Sequence, residues 1–441
     1  MKKIIQKFKA FSEAHPKAKK VLEGVGYIFS EKILKFLTGF LVHAIMARYL
    51  GPDKFGKLSY IIKTVNIFYA FSLFGVDEIV VKYLLDKTYQ RQDILKTVLS
   101  LRIGMSLIGI LILGIFLVSV RPEGNKFILL TFLYGTQILI QAFNLFELDF
   151  QSRLNFKPLF WANNICNFFS AGLRILGVFT KMGIPYFVST YLAGDILLKI
   201  IVQWKIGYKF LSGKYLPEVG KAIAKSSWPH FLATFVVLLD QRVSFLFIEE
   251  YLNADALGNY SVAVTLVDLW IFLPMAVCSS VFPTIVSAFS DNKNAYETRI
   301  QYLADIMVWS AIGFCLGVFL SADLVIEILY GGKYQTAPEI IRWYSLVTIP
   351  MFFNLARVKW MSLENHLSDW LKMSAFALLL NLCFHYVLVP QWGIKGAIWG
   401  YLSAQILANL LSSVWVDSSR RAASLFIKTG FLPFKIFKQF N

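Results

Sequence analysis

Charge is what this sequence has least of. Only 16% of its residues are charged, where soluble domains hold about 25%, and 57% are hydrophobic. A soluble fold of this length would need a very large core with almost no polar face. Cysteine is sparse too: Cys166, Cys278, Cys315 and Cys383 all fall in apolar runs, with no CxxC and no paired Cys/His spacing. That excludes a zinc ribbon or a disulfide framework, and the four read as small buried apolar residues. No GxxxxGK[ST] loop is present, and no polar segment is long enough for a nucleotide-binding domain, so ATP hydrolysis, a cofactor and a bound metal are not expected. The first twenty residues lack the apolar run of a cleaved signal peptide. Ile4, Ile5, Phe8 and Phe11 follow helical spacing against Lys2, Lys3, Lys7 and Lys9, which suits either a helix lying on an anionic membrane or a solvated basic tail.

What is abundant is apolar sequence in long runs. A helix needs about 20 apolar residues to cross a bilayer. Twelve runs qualify: 25–48, 57–81, 97–120, 126–148, 158–180, 184–206, 227–249, 260–288, 302–322, 339–360, 370–390 and 395–416. Pro274 and Pro283 mark the longest as kinked. The expected fold is an all-α integral membrane protein of twelve transmembrane helices.

The formal charge of +17 does not point to nucleic acid. The basic residues crowd into the first twenty positions, Lys205 to Lys225, and Arg420 to Lys438, whereas the loop "EEYLNADALGN" has none. With an even number of spans, this places both termini in the cytoplasm under the positive-inside rule. The basic, aromatic tail "RRAASLFIKTGFLPFKIFKQF" is expected on the inner leaflet.

The chain also repeats itself. "YLGPDKFGKLS" from Tyr49 and "YLNADALGNYS" from Tyr251 share Tyr, Leu, Asp, Gly and Ser at an offset of 202. "GIPYFVSTYLAGDIL" from Gly183 and "GIKGAIWGYLSAQIL" from Gly393 match at an offset of 210. Two matches in the same order imply two six-helix lobes. Six is even, so the lobes share one orientation, related by an axis along the membrane normal. The expected organisation is a basic tail (1–24), a first lobe (25–210), a cytoplasmic linker (211–226), a second lobe (227–416) and a basic amphipathic tail (417–441). Gly56 and Gly258 are expected to supply a positive φ beside a helix start, with Asp53 and Asp255 capping it.

"ARYLGPDKFGKLSY", "FGVDEIVVKYLL", "LYGGKYQTA" and "PQWGIKGAIWG" together resemble the Wzx-type O-antigen and polysaccharide flippases. These form the polysaccharide transporter branch of the multidrug/oligosaccharidyl-lipid/polysaccharide (MOP) superfamily. The resemblance runs through nearly the whole chain. It implies a MATE-like fold and translocation of an undecaprenyl-pyrophosphate-linked oligosaccharide, such as an O-antigen repeat unit of lipopolysaccharide, to the periplasmic leaflet of the inner membrane.

Charges inside spans are costly, at least ~3 kcal/mol each, and should face a wet interior. Helical spacing gathers Ser59, Lys63, Asn66, Ala70 and Asp77 on one stripe, and Ser261, Thr265, Asp268 and Ser279 on its repeat. Glu31, Lys35, Thr38, Gly39 and Met46 share a face, as do Asn163, Asn167, Ser170 and Arg174. Each charge also has a plainer reading. Asp195 and Lys199 are spaced to pair, as are Glu31 and Lys35. Arg102 and Lys32 can snorkel to the cytoplasmic edge. Asp240 and Arg242 cannot pair on one helix, and Lys63 and Arg174 have no carboxylate within a turn. His43, His230 and His385 carry no metal spacing.

The sequence thus predicts a non-enzymatic secondary transporter. Lys35, Lys63, Arg174 and Arg242 are the expected holders of a pyrophosphate and acidic sugars, with Asp195, Asp240 and Asp268 balancing charge or coupling to an ion. A cation antiporter of the same superfamily would rest on those three acids instead. A membrane polysaccharide polymerase or transferase would need larger extramembrane loops. Expected partners are the lipid-linked oligosaccharide, membrane lipids, a polysaccharide polymerase and a chain-length regulator.

Overall fold

The computed structural model describes residues 16–86, 88–120, 125–205, 213–291, 293–364, 366–414, 416, 420, 421 and 424. The amphipathic stretch before residue 16 and most of the basic tail lie outside them. Among the described residues all regular structure is helical.

The path begins with α1 (Pro16–Leu73), which bends at Gly51 (φ 71°, ψ 171°). Pro52 then opens the next span, where its missing N–H costs nothing. Next come α2 (Asp77–Leu85) and α3 (Arg91–Val120), then a span broken into α4 (Asn125–Gly135), α5 (Gln137–Ala142) and α6 (Leu145–Ser152). Helices α7 (Lys157–Phe179) and α8 (Ile184–Trp204) each start on an early proline. In the second half, α9 (Pro217–Asp240) and α10 (Val243–Tyr251) share one span, and α11 (Ala254–Trp270) and α12 (Phe272–Asp291) another. The latter break is where the Pro274 ring would meet the carbonyl of Trp270. The last helices are α13 (Lys293–Tyr330), α14 (Ala337–Ser345), α15 (Thr348–Leu363) and α16 (Leu367–Leu411), bent at Gly393 (φ 58°).

Eight helical stretches are long and apolar enough to cross a membrane. Two of them, Gly26–Leu73 and Ser368–Leu411, each hold two spans joined at Gly51 and Gly393. Adding α7 and the α14–α15 pair gives the expected twelve. Leu107, Leu111, Ile115 and Val118 on α3, and Leu316, Leu320, Leu324 and Ile328 on α13, form exposed stripes one turn apart. Stripes of such size need lipid against them.

The described chain groups into two compact units. One holds the residues up to Met46 and Val65–Phe235; the other holds Ala47–Thr64 and the residues from Val236 onward. In the first, α7 and α8 close over Phe146, Leu159, Cys166 and Val202. In the second, α12, α13 and α15 enclose Met307, Phe352, Phe353 and Trp360.

The repeated motif explains why residues 47–64 pack with the second unit. Gly56 and Gly258 do not supply positive φ; that falls on Gly51 instead. They lie within α1 and α11, where the two copies of the motif cross backbone to backbone. A Cβ on Gly56 would sit 1.8 Å from the Ala254 carbonyl oxygen, and one on Gly258 2.0 Å from that of Pro52. The capping role moves as well. Asn253, not Asp255, accepts the Ala256 N–H at 2.8 Å, and Asp53 pairs with Lys57 at 2.9 Å. The position equivalent to Asn253 is Gly51, whose side chain cannot cap.

Three other expectations change. Cys383 is exposed, while Cys166, Cys278 and Cys315 are buried. Asp77 leaves the Lys63 stripe because α1 ends at Leu73 and a turn through Gly75 (φ 61°) starts α2. Arg102 does not snorkel: it is 2% exposed and its guanidinium pairs with the Asp77 carboxylate. Asp77 is half-exposed, so solvent screens the pair, and removing it leaves the buried Arg102 without its carboxylate at about 1–2 kcal/mol. Asp77→Asn should therefore lower the thermal unfolding temperature in detergent, and adding Arg102→Leu should recover much of the loss. Equal stability of Asp77→Asn and the parent would show that water reaches Arg102.

Candidate substrate-binding site

Lys63, Arg242 and Asp268 come together in the second unit. The break between α9 and α10 makes Arg242 the N-cap residue of α10, one turn before Phe245. The Phe245 ring is buried and carries both cations, with Lys63 Nζ 5.1 Å and Arg242 Cζ 5.9 Å from its centre. The negative face of the ring offsets part of the cost of holding them. Tyr260 packs edge-on against Phe245 (5.2 Å), and Tyr344 against Tyr260 (5.7 Å). Asp268 acts electrostatically on both cations, yet makes no direct ion pair with either among the described residues. Arg242 Nε has no hydrogen-bond partner there. All three charges are half-buried. Two cations and one acid on an aromatic floor, with donors unspent, can take up an anion.

Asp240 and Asp195 are built differently, each held by two side-chain amides. Asn381 Nδ2 and Gln405 Nε2 donate to Asp240, both at 2.8 Å. Gln137 Nε2 and Gln141 Nε2 donate to Asp195 at 2.7 and 3.1 Å. The expected Asp195–Lys199 pair does not form. Lys199 Nζ donates to Asn144 Oδ1, and Asn144 Nδ2 to Gln141 Oε1, so two amides stand between acid and base. The breaks around α5 turn Gln137, Gln141 and Asn144 toward Asp195, and one-helix spacing could not anticipate them.

The remaining first-unit candidates are not gathered into one cluster. Among the described residues Arg174 has no carboxylate partner but is tied down within its unit. Its Cζ lies 3.6 Å from the Tyr191 ring centre, and its Nε donates to Thr190 Oγ1 at 3.3 Å. Lys35 is exposed, and Glu31 accepts from Asn163 Nδ2 (2.9 Å) in place of the expected pairing with Lys35. His385 is structural: its Nδ1–H donates to the Asn381 carbonyl and its Nε2 accepts from Ser244 Oγ, both at 2.8 Å.

One repeat went unread in the sequence. "FNLFELDFQSRLN" (143–155) and "FNLARVKWMSLEN" (353–365) align at the offset of 210 found for Gly183 and Gly393. The alignment equates Asn144 with Asn354, Glu147 with Arg357, Asp195 with Gln405 and Lys199 with Asn409. These are the polar residues that interact inside each unit. Asn354 Nδ2 donates to Gln405 Oε1 at 3.4 Å, and Arg357 Nη1 to Asn409 Oδ1. The shared FNL triplet was the available signal.

Comparisons with known proteins agree with this architecture. A family described as polysaccharide biosynthesis protein matches residues 45–339. A curated relative, the probable flippase AglR of Haloferax volcanii, is 21% identical over 274 residues, covering 59% of this chain and 55% of its own length. The chain thus spans about half of that relative. Among solved structures, an inward-facing MATE-family multidrug resistance transporter of the MOP superfamily superposes with a TM-score of 0.68 at 14% identity. That match covers 89% of this chain and 95% of the transporter. The lipid II flippase MurJ, in an inward closed conformation, gives 0.62 at 16% identity over 92% of each chain. At such identities the likeness is one of fold.

Proposed function

The chain belongs to the polysaccharide biosynthesis protein family, and from that premise we propose that it is a flippase for lipid-linked saccharides. The finer reading is an undecaprenyl-pyrophosphate-linked repeat unit of O-antigen or a related surface polysaccharide. It would move from the cytoplasmic to the periplasmic leaflet of the inner membrane, with both protein termini cytoplasmic. The observation that carries this reading is Lys63 and Arg242 sharing the Phe245 ring with, among the described residues, no contacting acid. A pyrophosphate crossing a low-dielectric interior needs its charge matched, and half-buried cations need a counter-ion. Lys35, exposed within the first unit, is left to meet acidic sugars, whereas Arg174 is held by Tyr191 and Thr190, and the polyprenyl tail stays in lipid. Alternating access of the two six-helix lobes (25–210 and 227–416) exposes the saccharide to each side in turn, without ATP. A polysaccharide polymerase and a chain-length regulator would receive the product.

The cation-antiporter reading draws on Asp195, Asp240 and Asp268, the first two of which are held by amides rather than cations. Reconstituted liposomes separate the two. The flippase should bind soluble pyrophosphate analogues more tightly at low ionic strength and take up no cationic dye under a proton or sodium gradient. Dye uptake that is lost in Asp268→Asn and kept in Lys63→Ala would establish the antiporter. In cells, deletion should leave lipid-linked repeat units on the cytoplasmic leaflet.

A further inference from the structure

We propose that Arg357, anchored by Asn409, forms a second anion site, inside the second unit, that takes one small anionic group: a halide ion or a single phosphoryl oxygen. The inference goes beyond the flippase reading and does not depend on it. Arg357 is 5% exposed, on the wall of a small cavity between α12, α13 and α15 lined also by Phe282, Leu303, Phe353, Lys359 and Trp360. Its Nη1 donates to Asn409 Oδ1, while its buried Nε has no partner among the described residues. Among the described residues it makes no ion pair with a carboxylate. Asp240, the acid of the neighbouring network, is engaged by Asn381 and Gln405. A buried guanidinium without a counter-ion is costly unless something anionic joins it.

The internal repeat supplies the control. At the matching positions of the first unit an acid, Glu147, lies within electrostatic reach of a base, Lys199. In the second unit the acid has become Arg357 and the base Asn409. The framework is kept and its polarity is changed, leaving a positive charge on a cavity wall, anchored by an amide. Lys359, whose ammonium lies 5.8 Å from the Phe282 ring centre, adds a second cation to the lining.

The test uses the purified full-length protein in detergent, with Lys63→Ala and Arg242→Ala introduced so that anions at that site do not contribute. Thermal unfolding is followed in sodium gluconate, sodium chloride and sodium pyrophosphate at matched ionic strength. Gluconate carries neither a halide nor a phosphoryl oxygen and sets the baseline. Chloride or pyrophosphate should raise the unfolding temperature by about 2–5 °C over gluconate. A response to chloride alone identifies a halide site, and one to pyrophosphate alone a phosphoryl site. Arg357→Gln should abolish the response. The paired change Arg357→Glu with Asn409→Lys installs the couple of the first repeat and should fold with the same unfolding temperature in all three salts. Absence of any response in the background protein overturns the proposal, as does a response that survives either Arg357 variant.

Discussion

Export of lipid-linked saccharide is expected to fall about 10- to 100-fold in Lys63→Ala and in Arg242→Ala, with insertion and protein level unchanged. A hydrogen bond to a charged group is worth about 1.5–3 kcal/mol, and each 1.4 kcal/mol is a factor of ten. Both side chains sit on Phe245 with donor capacity unspent. Removing either leaves no protein acid stranded in direct contact, so the loss should register in transport rather than folding. Charge-retaining variants divide the mechanism further. Lys63→Arg should keep most of the activity, since a point charge is replaced by a larger cation. Arg242→Lys should lose more, because the planar fork that can engage two phosphate oxygens is gone. Arg174→Ala is the contrast: its stacking on Tyr191 and its bond to Thr190 tie α7 to α8, so its removal should lower stability by about 1 kcal/mol. Accumulation of lipid-linked precursor in cells, scored beside membrane-protein level, measures all five. Wild-type export in both alanine variants would remove Lys63 and Arg242 from the site.

The twelve spans were legible because bilayer thickness imposes a length that composition must match, and the kink before Pro274 followed from a missing donor. The polar contacts were legible only in part. Helical spacing put Lys63 and Asp268 on equivalent stripes, and the structure does bring them together with Arg242. The same spacing failed for Asp195 and Lys199, because the competing partners Gln137, Gln141 and Asn144 come from another span broken twice. For Arg102 a place near the span's edge suggested snorkelling, but its acid, Asp77, begins a different helix. A single helix can be read from its own period, but a buried charge is settled by whichever neighbouring helix brings it a partner.

Gly56→Ala and Gly258→Ala are each expected to cut export by more than tenfold and lower stability by about 1–3 kcal/mol, the usual cost of overpacking. The motif is written twice because its copies pack on each other, and at the crossing neither backbone leaves room for a side chain. An alanine methyl at either position meets a carbonyl oxygen at 2.0 Å or less, where it needs more than 3 Å, so α1 and α11 must separate locally. Ser59 and Ser261, the motif's last residues, report on that separation: they are 7% and 1% exposed. Cysteines placed there, after removal of the native ones, should react slowly with an impermeant thiol reagent in the parent and quickly in the alanine variants. Alternating access adds that substrate changes both labelling rates together. Gly313→Ala is the control, since a Cβ there meets nothing within 4 Å and should if anything favour the helix. If Gly56→Ala and Gly258→Ala behave like Gly313→Ala in export and labelling, the crossing is no seam that transport depends on, and the repeat is only a relic of duplication.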